Sequence, residues 1–568
     1  MCGIFTYIKN GSLSNNDKEL LSAEYKKINH RGPDNSTFII TGKDKIQNYT
    51  NKIIEKNTLH NSETSIFIGF HRLAINDLSD IGNQPFISAD GNTILVCNGE
   101  IYNYKELAEE YNIKLTSNSD CEIILHLCLK IGFIETIKRL DGVFACILYD
   151  KLSNVIHVAR DPIGVRSLYM GFNSAGEYGF CSEMKGIDNI LEHIEQFNPG
   201  CVWNSIDMNY TKYYDCKKIY NNTTLNISMD KLSLKSTPSI DVIKENIRNK
   251  LIESVRKRIV SERPIGCLLS GGLDSSLIAA LLSIEMQKNG KKLKTFSVGL
   301  LGSVDLKYAK IVAEYIKSEH HELILSESEM MGGIENTIYQ LETWDTTTIR
   351  AGTPMFLLSK HIKKNFDTTV IYSGEGSDEC SGSYLYFHNA PSCDTFKNET
   401  TRLMEDLSHF DVLRCDKSIA GAGLEVRVPF LDKDFLQYYM NIDSNYKMPV
   451  YGNIEKYLLR SSFDYGLLPD NILWRVKEGM SDGVSSTEKS WFAIIQDNVK
   501  HMYTDENYEK NRQQFLYNKP YSKESLWYRE IFNKYYPSRD NIIPYFWLPK
   551  WNGNITEPSA RVLKIYSK

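Results

Sequence analysis

The segment Ser270-Gly-Gly-Leu-Asp-Ser-Ser276 follows a short apolar run, Pro264-Ile-Gly-Cys-Leu-Leu269, and precedes an apolar helical stretch, LIAALLSIEM. A strand that ends in a glycine loop and opens a helix presents unpaired N–H groups of the first helical turn. Those groups can hold an anion, and the glycines let the backbone approach it closely. No lysine follows the glycines as it does in the Walker pattern, so γ-phosphoryl transfer of the Walker kind is not expected. A second glycine loop, Ser373-Gly-Glu-Gly-Ser-Asp-Glu379, follows another apolar run. Its carboxylates can hold Mg²⁺ against phosphates, because Mg²⁺ favours oxygen ligands and keeps several waters.

Cys2 offers a different chemistry. Removal of the initiator methionine would leave it with both a thiol and a free α-amine. An α-amine has a reference pKa of about 7.7–8.0 and can help activate the thiol near neutrality. Cys2 is accompanied by His30-Arg-Gly-Pro-Asp34, Phe70-His-Arg-Leu-Ala-Ile75, Asn98-Gly-Glu-Ile-Tyr-Asn103 and Ser119-Asp-Cys-Glu122. An amino-acid substrate needs a cation for its carboxylate, which Arg72 can supply bidentately. Its ammonium needs a carboxylate, which Asp120 can supply. The oxyanion of a tetrahedral intermediate needs donors, available from the Asn98 side chain and the Gly99 N–H.

These residues need scaffolds of two kinds. Residues 1–215 read as short apolar, β-branched or aromatic strands such as GIFTYI, TILVCNGEIYN and GVFACILYD. Turn residues separate them and one helical stretch, CEIILHLCLKIG, interrupts them, which predicts a sheet-rich α+β domain. Residues 216–240 are polar and read as a linker. From 241 onward helices alternate with the strands around PIGCLL, LKTFSVGL and TTVIYSG. That alternation predicts a parallel α/β sheet, and the chain beyond 400 is mostly helical in pattern.

Composition excludes other classes. A net charge of −5 over 568 residues gives no global reason to bind nucleic acid or an anionic membrane. No run approaches the ~18 apolar residues of a membrane span. The start, MCGIFTYIKNGSLSNND, lacks the basic and apolar regions of a secretory signal. The twelve cysteines form no CxxC pair and no zinc-site spacing, and most lie in apolar runs. They read as reduced core cysteines of a cytoplasmic protein.

Taken in order, the motifs resemble the glutamine-hydrolysing asparagine synthetases almost end to end. Further marks are Glu342-Thr-Trp-Asp-Thr-Thr-Thr-Ile-Arg350, Gly423-Leu-Glu-Val-Arg-Val-Pro-Phe-Leu-Asp432, Val476-Lys-Glu-Gly-Met-Ser-Asp-Gly483 and the ending WLPKWNGNITEPSARVL. The resemblance implies an α+β N-terminal-nucleophile sandwich, with antiparallel sheets between helices, over 1–215. An α/β parallel-sheet PP-loop synthetase domain with a helical C-terminal part would occupy 241–568.

The same resemblance implies residue roles. Cys2 would attack the glutamine amide, and Arg72, Leu73, Ala74, Ile75, Asn76, Asn98, Gly99, Glu100 and Asp120 would form the glutamine pocket. Leu268, Ser270, Gly271, Gly272, Asp274, Ser275, Ser276, Val298, Ser373, Gly374 and Lys477 would bind ATP. Asp274 and Asp378 would hold Mg²⁺ and pyrophosphate, and Thr347 and Arg350 would bind aspartate. Glu375 would assist formation or capture of the adenylate. Glutamine, aspartate and Mg-ATP are the implied partners, with no organic cofactor, an internal apolar route for ammonia between domains, and room for a homodimer.

The chain departs from the family in four places. A polar insertion occupies 41–65, Asn35 stands where a bulky residue often follows RGPD, Gly352 replaces a common serine, and KEGMSDG replaces KEQFSDG. One rival reading is a related PP-loop synthetase acting on another carboxylate, such as a β-lactam synthetase-like enzyme. Cys2, Thr347 and Arg350 speak against it. The other rival, a catalytically silent homologue, conflicts with the presence of all the reactive groups.

Overall fold

A computed structural model describes residues 1–42, 45–50, 64–220, 239–553 and 555–563. Most of the insertion at 41–65 and of the linker at 216–240 lies outside the described residues. The chain divides into two compact units. The first comprises Met1–Asp215 with two short segments from later in the chain, Val260–Arg263 and Ile419–Glu425. The second comprises Cys216–Ile259, Pro264–Ser418 and Val426–Lys568.

The first unit holds a seven-stranded and a six-stranded sheet. Strand Gly3–Asn10 lies inside the seven-stranded sheet, antiparallel to Thr64–Arg72 and Tyr178–Cys181. Strand Thr93–Ile101 lies in the six-stranded sheet, antiparallel to Gly142–Asp150. Successive side chains on a strand face opposite ways, and the burial follows that period of two. Ile94, Val96, Ala145 and Ile147 share one buried core with Ile4, Ile8, Ile66, Ile68 and Phe70 of the other sheet. The alternate residues Leu95, Cys97, Phe144, Cys146 and Leu148 join a second core with Ile123, Ile124, Leu127 and Ile137. These last belong to helices Glu122–Ile131 and Phe133–Arg139, which cover the outer face. The helical spacing read in CEIILHLCLKIG gives the first of them.

His71 shows what burial costs a titratable group in this unit. It is 1% exposed and stacks on Tyr25 at 3.8 Å. Its Nε2 lies 2.9 Å from the Tyr25 carbonyl oxygen and its Nδ1 lies 2.6 Å from Ser36 Oγ. Nε2 must donate to a carbonyl, and in the neutral ring Nδ1 then accepts from the Ser36 hydroxyl. Burial pulls its pKa down from 6.5 to about 4. Between those values the unfolded chain binds the extra proton and the folded one does not, so stability rises with pH through that window. His71 alone therefore removes about 3 kcal/mol of stability as pH falls from 6.5 to 4. A neutral replacement, His71→Gln, is expected to flatten the slope of unfolding free energy against pH in that window. An unchanged slope in chemical denaturation would rule this cause out.

The second unit is built on a five-stranded sheet, ordered Glu319–Leu325, Lys294–Leu300, Ile265–Leu268, Val370–Tyr372, Glu425–Arg427. The pairings among the first four strands are parallel. Helices Leu273–Lys288, Val304–Tyr315 and Thr346–Asn365 lie between them in sequence. Parallel strands need such crossovers, and ligands of open α/β sheets bind beyond the carboxyl ends of the strands. Ile265–Leu268 and Val370–Tyr372 are neighbours, so both glycine loops leave the sheet side by side at that edge. Among the described residues no helix is long and apolar enough to cross a membrane.

Candidate active sites

The period of two that builds the sheets of the first unit also aims its reactive groups. Cys2 has the parity of Ile4 and Ile8 and packs against the core between the sheets. Asn98 has the parity of Ile94 and Val96 on the facing sheet, where it is 1% exposed. The Cys2 N–H donates to Asn98 Oδ1 at 2.9 Å. That bond fixes the Asn98 amide, whose Nδ2 is buried with no hydrogen-bond partner. A donor held beside a thiol and left unsatisfied is what a developing oxyanion requires. The Leu73 N–H lies 3.4 Å from Cys2 Sγ. Burial pushes the Cys2 thiol above its ordinary range, with the nearby terminal ammonium opposing it.

Arg72, Leu73, Ala74 and Ile75 are all buried. The Arg72 Nη1 donates to the Ser79 carbonyl oxygen and to Asn83 Oδ1, each at 2.7 Å. Its Nη2 donates to the carbonyl oxygens of Asn76, at 3.3 Å, and Asp77. The four Nη hydrogens are thus committed to the turn at 76–83. The bidentate grip on a carboxylate expected of this fork is occupied by the chain itself. Arg72 fixes the turn and supplies positive charge. The same turn is braced by Arg263, which donates to the Ala74 carbonyl oxygen at 2.9 Å and to Asp34 at 3.2 Å. Nothing in the sequence around Arg263 pointed to this.

Asp120 is buried, and burial raises its carboxyl. It accepts from the Ile101 N–H at 2.6 Å and from Asn76 Nδ2 at 3.4 Å. Asn76 Nδ2 also donates to Glu100 at 3.0 Å. One neutral amide therefore holds two carboxylates together, an arrangement suited to an incoming ammonium. Gly99 lies between Asn98 and Glu100 on the same strand.

In the second unit both glycine loops open into one cavity of about 1550 Å³, mouth included. Leu268, Ser270, Gly272, Asp274, Ser275, Val298, Thr347, Ser373, Gly374, Glu375, Asp378 and Lys477 line it. Gly271 turns the loop with φ of +72°, a region that penalises any Cβ. Its carbonyl oxygen accepts from Arg475 Nη1 at 3.0 Å. Gly271 and Ser276 do not line the cavity. Ser276 is fully buried on the first turn of Leu273–Lys288, behind the loop, so a direct ATP contact by its side chain is not what this structure presents.

The floor of the cavity is a charge network. Lys456 is 2% exposed, and its Nζ lies 2.7 Å from both carboxylate oxygens of Asp274 and 2.6 Å from Asp378 Oδ1. Lys477 Nζ donates to Asp378 Oδ2 at 2.5 Å. Burial alone would raise Asp378, but Lys456 and Lys477 overcome it and hold the carboxyl far below its usual range. Burial alone would lower Lys477, and Asp378 and Asp274 more than offset that. Glu375 is clasped by Arg414 Nη2 at 2.8 and 2.7 Å, and Arg414 Nη1 reaches Asp411 at 2.6 Å. Burial raises the Glu375 carboxyl against the pull of Arg414. Sequence reasoning did not find Lys456, Arg414 or Asp411. The one available signal was that a lysine or arginine survives full burial only when paired.

The aspartate-side residues divide. Thr347 is on the cavity wall, in the first turn of a helix capped by Asp345, whose Oδ2 accepts from the Thr348 N–H at 2.8 Å. Arg350, one turn on, is 2% exposed and does not line the cavity. Its Nε and Nη2 hold Glu524 at 2.7 and 2.5 Å, and Nη1 and Nη2 hold Glu557. The fork is thus shared between two protein carboxylates. In this structure Arg350 is engaged by Glu524 and Glu557, away from the cavity wall where Thr347 stands. Gly352 is also off the wall. A Cβ there would press on Leu341 at 2.6 Å, so the glycine serves close helix packing.

A sandwich with a thiol near the start of its first strand beside an amide donor, and a parallel sheet with two glycine loops over a floor of paired carboxylates and cations, define an amidotransferase joined to a nucleotide-using synthetase. Comparison with known proteins agrees. The family model for asparagine synthase matches residues 246–402 and 391–557, and the glutamine amidotransferase domain matches 54–236. Asparagine synthetase [glutamine-hydrolyzing] of Gallus gallus is 42% identical over 586 residues, covering 100% of this chain and 99% of that protein. A probable asparagine synthetase [glutamine-hydrolyzing] of Acanthamoeba polyphaga mimivirus is 41% identical, with 100% of both chains covered. The Homo sapiens asparagine synthetase is 40% identical, covering 100% of this chain and 99% of that one. The chain belongs to the glutamine-hydrolysing asparagine synthetase family.

Proposed function

We propose that this protein makes asparagine from aspartate, ATP and glutamine, releasing AMP, pyrophosphate and glutamate. The observation that carries the reading is the convergence of both glycine loops and Thr347 on one cavity in the same chain as the Cys2–Asn98 pair.

In the first unit the Cys2 thiol adds to the glutamine amide carbonyl. Asn98 Nδ2 and the Gly99 N–H receive the oxyanion, ammonia leaves, and water hydrolyses the thioester to glutamate. Asp120 and Glu100 receive the substrate ammonium, and the Arg72 charge faces its carboxylate. In the second unit a carboxylate oxygen of aspartate attacks the α-phosphorus of ATP and pyrophosphate leaves. Ammonia then adds to the acyl carbon of the adenylate and AMP departs. Leu268 and Val298 offer apolar wall to the base, and the loop at 270–275 offers N–H groups to phosphate. Glu375 stands with Thr347 on the wall, placed to take a proton from the attacking ammonia.

Mg²⁺ with ATP is part of the same proposal. Asp274 and Asp378 supply two carboxylates in the cavity, and Mg²⁺ bound by one or two carboxylates takes its other oxygens from phosphates and water. The donor set therefore fits. Bound there, the ion would neutralise phosphate charge, while Lys456 and Lys477 keep the Asp378 carboxyl ionised. A cytoplasmic, reducing location fits twelve cysteines that are all unbridged.

Incubation with aspartate, glutamine and Mg-ATP should yield asparagine, glutamate, AMP and pyrophosphate by mass spectrometry. ADP in place of AMP, or AMP formation indifferent to aspartate, would overturn the reading.

A further inference from the structure

The residue read from sequence as the aspartate anchor has another task. Arg350 ties helix Thr346–Asn365 to Glu557 near the end of the chain, and Glu557 Oε1 in turn accepts from the Ser559 N–H at 2.8 Å. Ser559 Oγ donates to Asp482 Oδ1 at 2.6 Å, and the Ala560 N–H donates to Asp482 Oδ2 at 3.1 Å. Arg561 reaches Glu478 Oε1 at 3.0 and 2.7 Å and the Ser486 carbonyl oxygen at 2.8 Å. Further back, the Trp547 N–H donates to Asp345 Oδ1 at 2.8 Å, and the Trp547 carbonyl oxygen accepts from Thr347 Oγ1 at 3.4 Å. Between these ties Trp547, Pro558 and Ala560 stand on the cavity wall.

Such a set of bonds is not what a loose chain end makes. Arg350 and Asp482 are each 2% exposed; Asp482 gives both carboxylate oxygens to this segment, and Arg350 divides its fork between Glu557 of the segment and Glu524. The segment brings apolar groups to the part of the cavity where Thr347 lies. Its partners at 478–482 belong to the same stretch as Lys477.

We propose that residues 545–553 and 555–562 form a strap that completes the wall of the adenylating cavity, with Arg350 and Asp482 as the positioning residues that hold it. This rests on the proposed reaction. The adenylate is a mixed anhydride, and water can add to its acyl carbon as ammonia does. That addition breaks the bond between the acyl carbon and the phosphate oxygen, returns aspartate and AMP, and releases a proton. An apolar wall excludes that water. The strap therefore sets how many ATP are cleaved per asparagine made.

The test uses the full-length protein and the variants Ser559→Ala, Glu557→Gln and their combination, which loosen the strap without touching either glycine loop. Two quantities are read: hydrogen exchange of residues 555–563, and AMP released per asparagine at saturating ammonia. In the double variant exchange should quicken and the AMP-to-asparagine ratio should rise about threefold or more, while glutamine hydrolysis keeps the parent rate. Arg350→Lys keeps the charge, loses the fork and should shift both readouts the same way. A freed strap with an unchanged ratio would overturn the proposal, and so would a strap still protected in every variant. Absence of aspartate-dependent AMP in the parent protein would instead overturn the reaction itself, and exchange would still report whether Arg350 holds the strap.

Discussion

Cys2→Ala abolishes glutamine hydrolysis and glutamine-dependent asparagine formation, and leaves ammonia-dependent asparagine formation close to the parent rate. The expectation follows from where the groups lie. Cys2 and Asn98 are hydrogen-bonded through the Cys2 N–H in the first unit, and both glycine loops belong to the second. Asn98→Ala removes the unpartnered Nδ2, and the loss of one oxyanion donor costs about 10²–10³ in kcat. Its effect should therefore be large but incomplete, where that of Cys2→Ala is complete. The KM for glutamine should change little in Asn98→Ala, because the donor acts on charge that develops in the transition state.

The amine has its own requirement. Met1 is 1% exposed, its ammonium lies 3.4 Å from the Leu424 carbonyl oxygen, and burial pulls its pKa down to about 6. Removal of Met1 transfers the free amine to the nitrogen now bonded to Asn98. Mass spectrometry of the active enzyme should show Cys2 as the first residue. Parent-like glutaminase activity in Cys2→Ala, or in protein retaining Met1, would end the thiol–amine assignment.

What the sequence disclosed follows a physical division. The Cys2 and Asn98 motifs sit on strands whose alternation points both inward, so a period of two was enough to bring them together. The two glycine loops were legible because each follows an apolar strand, and parallel neighbours place their carboxyl ends side by side. Lys456 was not legible. It sits 182 positions from Asp274 and 78 from Asp378, in a left-handed backbone conformation that no local pattern announced. Arg414 reaches Glu375 across 39 positions for the same reason. Arg350 and Arg72 raise one question of legibility. Each is a guanidinium beside a functional residue, and its type suited a substrate carboxylate. The acceptors of Arg350 lie 174 and 207 positions away, where its neighbours in sequence give no sign of them, whereas those of Arg72 lie in the turn at 76–83 that follows it.

Lys456→Met should cripple asparagine formation from either nitrogen source and spare glutamine hydrolysis. Lys456 is the bridge between Asp274 and Asp378, with its ammonium within 2.7 Å of each. Removing one partner of a buried ion pair leaves uncompensated charge and typically costs about 3–5 kcal/mol. Here the cost falls on the second unit, so its thermal transition should drop while that of the first stays in place. Lys477 remains on Asp378, which spares that carboxylate part of the loss, while among the described residues Asp274 keeps the Ser377 hydroxyl at 2.7 Å and the more distant charge of Lys477. With the aspartates no longer clamped, phosphate binding weakens, and a deficit of about 3 kcal/mol corresponds to roughly 150-fold in kcat/KM for ATP. The variant also separates a metal site from a purely structural network. If Asp274 and Asp378 hold Mg²⁺, then Mg²⁺ added without nucleotide should raise the transition of Lys456→Met more than that of the parent, because the ion replaces the missing positive charge. A variant that loses stability but gains nothing from Mg²⁺ would show that the two aspartates serve Lys456 and not the metal. ATP kinetics at parent level would show that the bridge lies outside the reaction altogether.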